Sequence, residues 1–494
     1  MEKKRFRHHI SILFEEICAV IGAFLIVITT QMADVIGKVA SMGRINREVL
    51  FVICIILGIF VVILIWRYRV WSKTWITIDE EAIIIERDTI LKKRNTIGYQ
   101  NISNVNTVQN LLEMLLGTCK VKLDTNSLST ANKTDVVIVL KKQPGEELKK
   151  QLVRKMNAVQ SGQSESLEEV VQEEEIGYVV ESSFKDIFLH GIYSLNVFVV
   201  IIFVSGIAGV VSTLKDTMTS GDYALNTGAM IATIATFVVL IYSSFVSLAK
   251  GFISMYGFKS TRIGERLYLK YGLFKKVEYA IPVDKINGIL IHQTFIARLL
   301  HKYTVELINV GMGDDEKQAV NFIFYTTKEH LMQSMKVLLP EYSDAFDWKI
   351  EKQPTGFWIV KLIRFAIASL VLFVGGYSVF SILADIPYQS YYPYAVIAFI
   401  TLVEIFNILS YRTKGSQMGA HYFIVVDGFI GRRYTIMPYS KIQYVQYHEN
   451  FVTKRLSMGH GKVALLAATR YKNHVIPYVN RKNIEELKKK MLEA

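Results

Sequence analysis

The chain repeats one pattern three times along its 494 residues. Each copy begins with two long apolar segments, continues with strand-like sequence and ends with a charged amphipathic helix. The copies are most alike in three segments, which read IGYQNISNVNTVQN from residue 97, IPVDKINGILIHQT from residue 281 and MPYSKIQYVQYHEN from residue 437. Because a repeat of this size reflects one structural unit, the fold has to be explained for a unit of roughly 150 residues.

Three sets of equivalent residues follow from this alignment. In each copy an isoleucine opens the motif strand, a Gln or Glu closes the strand, and a Lys or Arg stands in the strand before it. In chain order these residues are Ile102, Ile286 and Ile442; Gln109, Gln293 and Glu449; and Lys92, Lys276 and Arg432.

The composition is that of a membrane protein. Hydrophobic residues make up 51% of the chain, and the mean hydropathy is +0.28, which is too apolar for an ordinary soluble protein of this size. Six segments are long and apolar enough to cross a bilayer as helices. They are residues 13–31, 49–66, 190–213, 228–248, 362–383 and 393–411. The sequence therefore predicts six transmembrane helices in three hairpins, one at the start of each copy.

Basic residues indicate the orientation of these hairpins. The formal net charge is +13, and Lys and Arg cluster where the apolar segments meet the strand-like sequence. By the positive-inside rule, both termini and all three soluble units are expected in the cytoplasm, in a multi-pass protein of the inner or plasma membrane. The N-terminal sequence MEKKRFRHH is interpreted as such a basic flank. No nucleic-acid motif accompanies the charge, so we expect contact with membrane lipids and their anionic headgroups, and not with nucleic acid.

After its apolar segments, each copy has the pattern of a small antiparallel sheet. Alternating apolar residues flank turns near Asp88, Gly272 and Asp427-Gly428, and then come the motif strand, two further strands and a C-terminal helix. Such a helix covers the open end of a bent sheet. The residues expected to point inward from the motif strands are Ile102 and Val105, Ile286 and Ile289, and Ile442 and Val445.

The chain is thus expected to be an α+β membrane protein of seven segments. Transmembrane hairpins are predicted at 1–70, 178–252 and 346–415, and sheet domains at 71–158, 253–345 and 416–494. Residues 159–177 are rich in Ser, Gln and Glu, which is typical of a flexible acidic linker.

At this level the chain resembles a known family, the bacterial pleckstrin-homology-like multi-pass membrane proteins of the YdbS/YdbT type. The resemblance covers nearly the whole chain and rests on Pro282, Lys285 and Arg298 in the second copy and on Pro438, Lys441 and Arg455 in the third. The first copy departs from the pattern, with Gly98 for the proline and Asn101 for the lysine. The resemblance implies a bent antiparallel sheet capped by a helix. It also implies envelope protection, such as antimicrobial-peptide resistance, beside a partner membrane protein of the same family or as a homo-oligomer.

The sequence contains no recognisable catalytic or metal site. The segment SMGHGKVAL fails as a phosphate-binding loop, because Leu456 replaces the first glycine and Val463 replaces the Ser or Thr after Lys462. The three cysteines and ten histidines have no metal-ligand spacing. We therefore expect a protein that is not an enzyme, with no catalytic residue, metal or cofactor.

Three basic pairs and one intramembrane pair are the candidate functional residues. Adjacent basic residues in the second strand of each sheet hairpin are expected to bind lipid headgroups, at about 1 kcal/mol each, or a protein partner. The alternative is that they only keep an edge strand soluble. They are Lys92-Lys93, Lys275-Lys276 and Arg432-Arg433. Arg364 and Glu404 lie in the third transmembrane hairpin and are expected to pair; unpaired, Glu404 becomes a candidate for ion or proton coupling. These residues predict a membrane scaffold or binding protein, with a lipid- or peptide-handling transporter as the alternative.

Overall fold

The structure is a computed structural model that describes most of the chain in two compact units. The described residues are 4–17, 21–22, 47–125, 136–161, 180–195, 197–219, 223–309, 321–346, 349–382, 392–467 and 472–494. The first unit consists of residues 1–176 and 274–280, and the second of residues 177–273 and 281–494.

Each copy supplies seven β-strands, and the first of them precedes the apolar helices in the sequence. The first copy has β1 (Lys4–Phe6), β2 (Thr74–Ile78), β3 (Ala82–Asp88), β4 (Lys92–Gly98), β5 (Ile102–Gln109), β6 (Thr118–Thr125) and β7 (Val136–Lys141). The second has β8 (Val180–Glu181), β9 (Lys259–Ile263), β10 (Arg266–Tyr271), β11 (Lys276–Pro282), β12 (Ile286–Gln293), β13 (Tyr303–Asn309) and β14 (Asn321–Thr326). The third has β15 (Glu351–Lys352), β16 (Gly415–Met418), β17 (Tyr422–Asp427), β18 (Arg432–Pro438), β19 (Ile442–His448), β20 (Met458–Leu465) and β21 (Asn473–Asn480).

Helices occupy equivalent places in the three copies. A short helix joins the fifth and sixth strands: Leu111–Leu115, Phe295–Leu299 and Phe451–Arg455. A longer helix follows the seventh strand: Lys142–Ser161, Lys328–Leu338 and Arg481–Glu493. Antiparallel strands closed by a C-terminal helix fit the pleckstrin-homology-like domain, so that part of the predicted fold is confirmed.

Long apolar helices precede the second strand of each copy. They are Arg47–Ser72, Val197–Thr219, Tyr223–Met255, Gly356–Ile382 and Tyr392–Thr413. Two segments of the described residues, Gly356–Gly376 and Val396–Thr413, are long and apolar enough to cross a membrane. The arrangement of six spans in three hairpins stays a prediction, and much of the predicted span 13–31 lies outside the described residues. The predicted span 190–213 is divided between two helices, Phe184–Tyr193 and Val197–Thr219.

The first unit contains two sheets around one core. Strands β1, β2, β3 and β4 pair in that order, while β7, β6 and β5 form a second sheet that residues 276–278 of β11 extend at β5. The helix Lys142–Ser161 covers the core with Leu148, Leu152 and Met156, which recur at one-turn spacing on one helical face. Ile102 and Val105 are fully buried in this core, as predicted.

The second unit contains a sheet that joins the second and third copies. Its seven strands have the order β14-β13-β12-β18-β17-β16-β15, and β19, β20 and β21 form a separate sheet. The helix Arg481–Glu493 buries Ile484 and Leu487 in the core of the third copy. The inward orientation of the motif strands is confirmed here too, because Ile286 and Ile289 are buried and Ile442 is 8% exposed. Val445 is half-buried and packs against the same core.

Local sequence explains how the short helices begin and end. Their N-caps are Asn110, Thr294 and Asn450, residue types whose side chains accept hydrogen bonds from the first helical turn. Each helix stops just before a residue with a positive φ angle: Gly117 at 63°, His301 at 53° and Ser457 at 48°. This left-handed conformation reverses the chain into the sixth strand.

A short strand before the apolar helices is the main difference from the sequence prediction. Residues Lys4–Phe6, interpreted as a basic flank in the segment 1–70, form β1 and pair with β2. In the same way β8 pairs with β9, and β15 with β16. Phe6 packs against the core, and the guanidinium of Arg7 lies 3.8 Å from the ring centroid of Trp75. The N-terminal residues therefore belong to the sheet domain, because they pair with β2 and Phe6 packs in its core, while the neighbouring side chains carry the charge.

Strands are also shared between copies. Lys276 of β11 pairs with Gln109 of β5, and Arg432 of β18 pairs with Gln293 of β12. These residues are equivalent in the repeat, so both contacts have the same register. In each, the fourth strand of one copy extends the sheet of the copy before it.

Candidate functional site

In the first two copies, the turn that precedes the basic pair is hydrogen-bonded to the end of a long apolar helix. The backbone N–H of Asp88 donates to Lys73 O at 3.0 Å, directly after the helix Arg47–Ser72. In the second copy, the N–H of Gly272 donates to Tyr256 O at 2.8 Å, directly after the helix Tyr223–Met255. The position of the turn is thus fixed by backbone hydrogen bonds, which do not require a particular side chain.

The third copy repeats this arrangement with side chains. Thr413, the last residue of the helix Tyr392–Thr413, donates from Oγ1 to Phe429 O at 3.1 Å. Lys414 pairs with Asp427 at 2.8 Å. Burial is the largest single influence on Asp427 and opposes its ionisation. The hydrogen bond and charge of Lys414, the N–H of Gly428 and the charge of Arg433 together outweigh burial, so the pKa of this carboxyl is below its usual value. In every copy, therefore, the hairpin turn lies at the end of an apolar helix.

The basic pairs themselves lie in three different environments. Lys92 and Lys93 are exposed on β4, where Lys92 pairs with Asp88 at 3.4 Å. Lys276 is exposed and Lys275 half-buried, whereas Arg433 is exposed and Arg432 half-buried. Equivalent positions in the repeat have therefore kept their charge but not their surroundings.

Arg432 of the third pair and Arg298 of the second copy form a group that is called the arginine cluster below. Arg298 donates from Nη1 to Ile430 O at 2.8 Å and to Thr413 Oγ1 at 3.4 Å, so it binds both the hairpin turn and the helix end. The carbonyl that Arg298 binds belongs to Ile430, two residues before Arg432. Burial and then the charge of Arg432 lower the pKa of Arg298.

The cluster lacks a negative partner in the part of the chain that the structure describes. Arg432 donates from Nη1 to Tyr434 Oη at 3.5 Å, but its buried Nε has no hydrogen-bond partner there, and neither Arg432 nor Arg298 forms an ion pair. Two guanidinium groups without a carboxylate form a site for an anion with several oxygen atoms, such as a phosphate group. Arg298 was identified from the sequence only as part of the family resemblance.

Arg364 and Glu404 do not form an ion pair among the described residues. The carboxylate of Glu404 instead accepts a hydrogen bond from Asn407 Nδ2 at 3.4 Å, one turn further along the same helix. Arg364 is exposed, and its charge contributes to lowering the pKa of His460, a group on β20, after the effect of burial.

The described residues contain no cluster of three or more His, Cys, Asp or Glu side chains that could hold a metal ion. Cys119 is buried, and burial raises the pKa of its thiol to about 11, so it is not a nucleophile at neutral pH. The charged groups described at this site are the cations Arg298 and Arg432.

Comparison with known proteins gives one family. The family model of the bacterial PH domain matches residues 20–156, 199–330 and 367–494. The chain is also 21% identical over 426 residues, or 83% of each chain, to the UPF0699 transmembrane protein YdbT of Bacillus subtilis (strain 168). No solved structure gives a significant match. The three matched stretches correspond to the three copies of the repeat.

Proposed function

Because the chain belongs to the bacterial PH domain family and contains that domain three times, we propose that it is a multi-pass membrane scaffold. In this proposal its domains lie at the cytoplasmic face and hold basic hairpins against anionic lipid headgroups. The observation that carries it is the hydrogen bonding of each hairpin turn to the end of an apolar helix. A helix that crosses the bilayer ends at the headgroups, so the basic residue pairs start at the depth of the lipid phosphates.

The arginine cluster supplies the most specific contact in this proposal. Arg298 is held by Ile430 O and Thr413 Oγ1, while the Nε of Arg432 is left without a partner in the described chain. A lipid phosphate placed between them would satisfy that buried donor and neutralise the mutual repulsion of the two cations. The exposed Lys92, Lys93 and Lys276 add less specific attraction of about 1 kcal/mol each.

Native mass spectrometry of the full-length protein in a neutral detergent, titrated with short-chain phosphatidylglycerol, tests lipid binding. Replacing Arg298 and Arg432 by Gln is expected to weaken binding about tenfold, because the charge is lost while hydrogen-bonding atoms remain. The control replaces Lys482 and Lys488, two exposed lysines of the C-terminal helix, by Gln and is expected to change nothing. Equal affinity of the arginine variant and the control for the lipid would refute the headgroup proposal.

The proposal extends to the biological role that the family resemblance implies. We propose that the scaffold assembles a complex that protects the envelope, with a family member or another copy of the chain as partner. A strain without the chain is then expected to be inhibited at lower concentrations of a cationic antimicrobial peptide. Restoring the gene should restore growth, and restoring the Arg298 and Arg432 double variant should not. Unchanged sensitivity of the deletion strain would remove this role and leave the lipid-binding proposal standing.

A lipid- or peptide-handling transporter is the second candidate function. It is favoured by Glu404, a half-buried carboxylate in an apolar helix, whose hydrogen bond comes from Asn407 and not from a cation. Carboxylates inside membranes often take part in ion or proton coupling. Glu404→Gln keeps the hydrogen bond to Asn407 geometrically possible and removes the charge. A scaffold is expected to tolerate this substitution in the peptide-sensitivity assay, whereas a transporter is expected to lose activity.

A further inference from the structure

Among the described residues, two strand edges lack the neighbour that their equivalents have. The fourth strands β11 and β18 each pair with the fifth strand of the preceding copy, β5 and β12. In the chain as described, β4 pairs with β3 alone, and β19 pairs with β20 alone. The three copies thus form a series that has an unused fourth strand at its start and an unused fifth strand at its end.

The exposure of the two strands matches these open edges. In β12 seven of the eight residues are buried, whereas β19 exposes Tyr444, Gln446 and His448. Residues 92–96 of β4 are all exposed, while β18 buries Tyr434 through Met437. Unpaired strand edges are binding sites for further strands and are normally covered or blocked.

We propose that β19 of one chain pairs with β4 of a second copy of this chain, so that the strand sharing inside the chain continues between chains. This inference names a partner for the scaffold and does not involve the arginine cluster. It shares Lys92 with the less specific headgroup contacts proposed above, but it does not depend on lipid binding.

The register of this contact follows from the two that already exist. Lys276 stands opposite Gln109, and Arg432 stands opposite Gln293. The equivalent residues at the open edges are Lys92 and Glu449. Lys92 and Glu449 have opposite charges, whereas the partner of the basic residue in the two existing contacts is a neutral Gln. This charge complementarity favours a second copy of the chain over an unrelated strand as the partner.

The two charged groups differ in exposure. The side chain of Lys92 is 82% exposed and, within the described part of the chain, forms an ion pair only with the exposed Asp88 at 3.4 Å. The side chain of Glu449 is 18% exposed, so only part of it reaches the surface. Glu449 accepts a hydrogen bond from Tyr447 Oη at 2.9 Å and lies 4.0 Å from Arg481 Nε. The long contact to Arg481 is weak, so an incoming lysine replaces it at little cost.

The number of residue pairs in each ladder between copies differs with the residue at the β-bulge. Gly288 allows a ladder of five residue pairs between β12 and β18, because its hypothetical Cβ would be 2.8 Å from Ile436 O. Asn104 occupies the equivalent position in β5, and its ladder with β11 has three pairs. The third copy has Tyr444 there, so we expect three pairs, which join residues 447–449 to residues 92–94.

A second contact accompanies the ladder. Arg298, the fourth residue of its short helix, donates to Ile430 O of the following copy. The fourth residue of the equivalent helix is Lys454, while Arg455, the residue on which the family resemblance rests, is the fifth. Lys454 is exposed, and the residue equivalent to Ile430 is Ile90, which is 84% exposed. In the proposed contact Lys454 donates to the carbonyl of Ile90, and the exposed side chains of the turn become covered.

Such a contact is heterologous, since it joins different surfaces of the two chains. Chains in one membrane share their orientation, so successive copies are related by rotation about the membrane normal. A heterologous contact of this kind closes into a ring or continues as an open array.

Charge exchange between two chains tests this proposal. Differently tagged chains carrying Glu449→Lys or Lys92→Glu are produced separately and together, and association is measured by native mass spectrometry in a mild detergent. Each variant alone is expected to associate about tenfold more weakly than the wild type, because like charges face each other at the edge. Mixed chains should associate again, because the introduced lysine of one meets the introduced glutamate of the other. Lys488→Glu, which reverses an exposed charge of the C-terminal helix, is the control and should associate normally.

Lys92→Glu alters an exposed side chain, so a folding defect does not explain its effect. Three results would overturn the proposal. The first is that both single variants associate as strongly as the wild type, and the second is that association recovers only when both reversals are in one chain. The third is that the variants lose a different protein from the complex. The second result would mean that the two edges meet within one chain, and the third that the edge serves another partner.

Discussion

Removal of Lys120 tests the buried charge network of the first unit. The Nζ atom of Lys120 lies 2.6 Å from Glu15 Oε1 and 3.0 Å from Glu113 Oε1. Burial by itself lowers the pKa of Lys120, but the hydrogen bonds and charges of the two carboxylates raise it above its usual value. Glu113 also accepts a hydrogen bond from the N–H of Asn110 at 2.8 Å, within the capping box of the short helix.

The cost of Lys120→Met follows from the exposure of the partners. The side chains of Lys120 and Glu113 are 12% and 6% exposed, so their pair is a buried one, whereas Glu15 is 43% exposed. Removing one member of a buried pair costs about 3–5 kcal/mol, since the remaining charge loses its partner. The hydrogen bond from Asn110 still satisfies part of Glu113, so we expect about 3 kcal/mol for Lys120→Met. Loss of the exposed partner through Glu15→Gln is expected to cost at most about 1 kcal/mol.

Hydrogen exchange followed by mass spectrometry measures these differences in the full-length protein. A loss of about 3 kcal/mol should speed exchange of the β5 and β6 amides by roughly a hundredfold, because every 1.4 kcal/mol is a factor of ten. The matched control is Lys120→Met with Glu113→Gln, which leaves no unpaired buried charge, since the remaining Glu15 is 43% exposed. This double variant should exchange within about tenfold of the wild type. Exchange of Lys120→Met at the wild-type rate, or an equal effect of Glu15→Gln, would show that the network is not buried as described.

Two further perturbations test other parts of the fold. Burial and the charge of Arg87 lower the pKa of His8 to about 4, below the ordinary value of 6.5, so its contribution to stability is present above pH 6.5 and is lost as the pH falls towards 4. The first unit should lose about 3 kcal/mol over this range, measured as faster exchange of the Val139 amide that donates to His8 Nδ1. His8→Gln should remove most of this dependence and leave the part due to His9, whose pKa burial and the charge of Lys141 also lower. Gly288→Ala would place Cβ 2.8 Å from Ile436 O and should separate β12 from β18 at a cost of about 1–3 kcal/mol. The loss should be seen as faster hydrogen exchange in β18. The control is Gly251→Ala, whose Cβ meets no atom within 4 Å and which should leave the exchange of β18 unchanged.

Local patterns were sufficient to predict the sheet hairpins, the motif strands and the C-terminal helices. The turns near Asp88, Gly272 and Gly428 have residues suited to chain reversal, and Gly272 and Gly428 have φ angles of 106° and 126°. The inward residues Ile102 and Val105 were found because all three copies have apolar residues at these positions. Their spacing of three is explained by the β-bulge between Ile102 and Asn104. Strands of two or three residues, such as β8 and β1, have no period to detect, so they were missed.

Contacts between copies could not be predicted from the sequence. The pairing of β18 with β12 joins residues more than a hundred positions apart, and no local pattern determines its register. The basic pairs were found because adjacent charges stand out in a strand, but their separate environments depend on this pairing. Arg298 was not proposed as a site residue for the same reason, since its carbonyl partner belongs to the following copy.

In the third copy, the residue that closes the motif strand, Glu449, affects domain stability and chain association in opposite ways. Gln109 donates from Nε2 to Thr118 O at 2.7 Å, and Gln293 donates to Lys302 O at 3.0 Å. Glu449 has no such donor, so the third domain lacks a hydrogen bond that the other two possess. The equivalent carbonyl belongs to Met458, which like Thr118 and Lys302 follows a residue of positive φ.

Glu449→Gln therefore should change two properties in opposite directions. The restored amide should donate to Met458 O and stabilise the third domain by about 1 kcal/mol, measured as slower exchange in β20. The lost charge should weaken the association between chains by severalfold, measured by native mass spectrometry, because Lys92 of the neighbouring copy would face a neutral side chain. Gln293→Glu is the converse control, and it should speed exchange in β13. A gain in stability together with unchanged association would mean that the charge of Glu449 serves neither the domain nor a neighbouring chain.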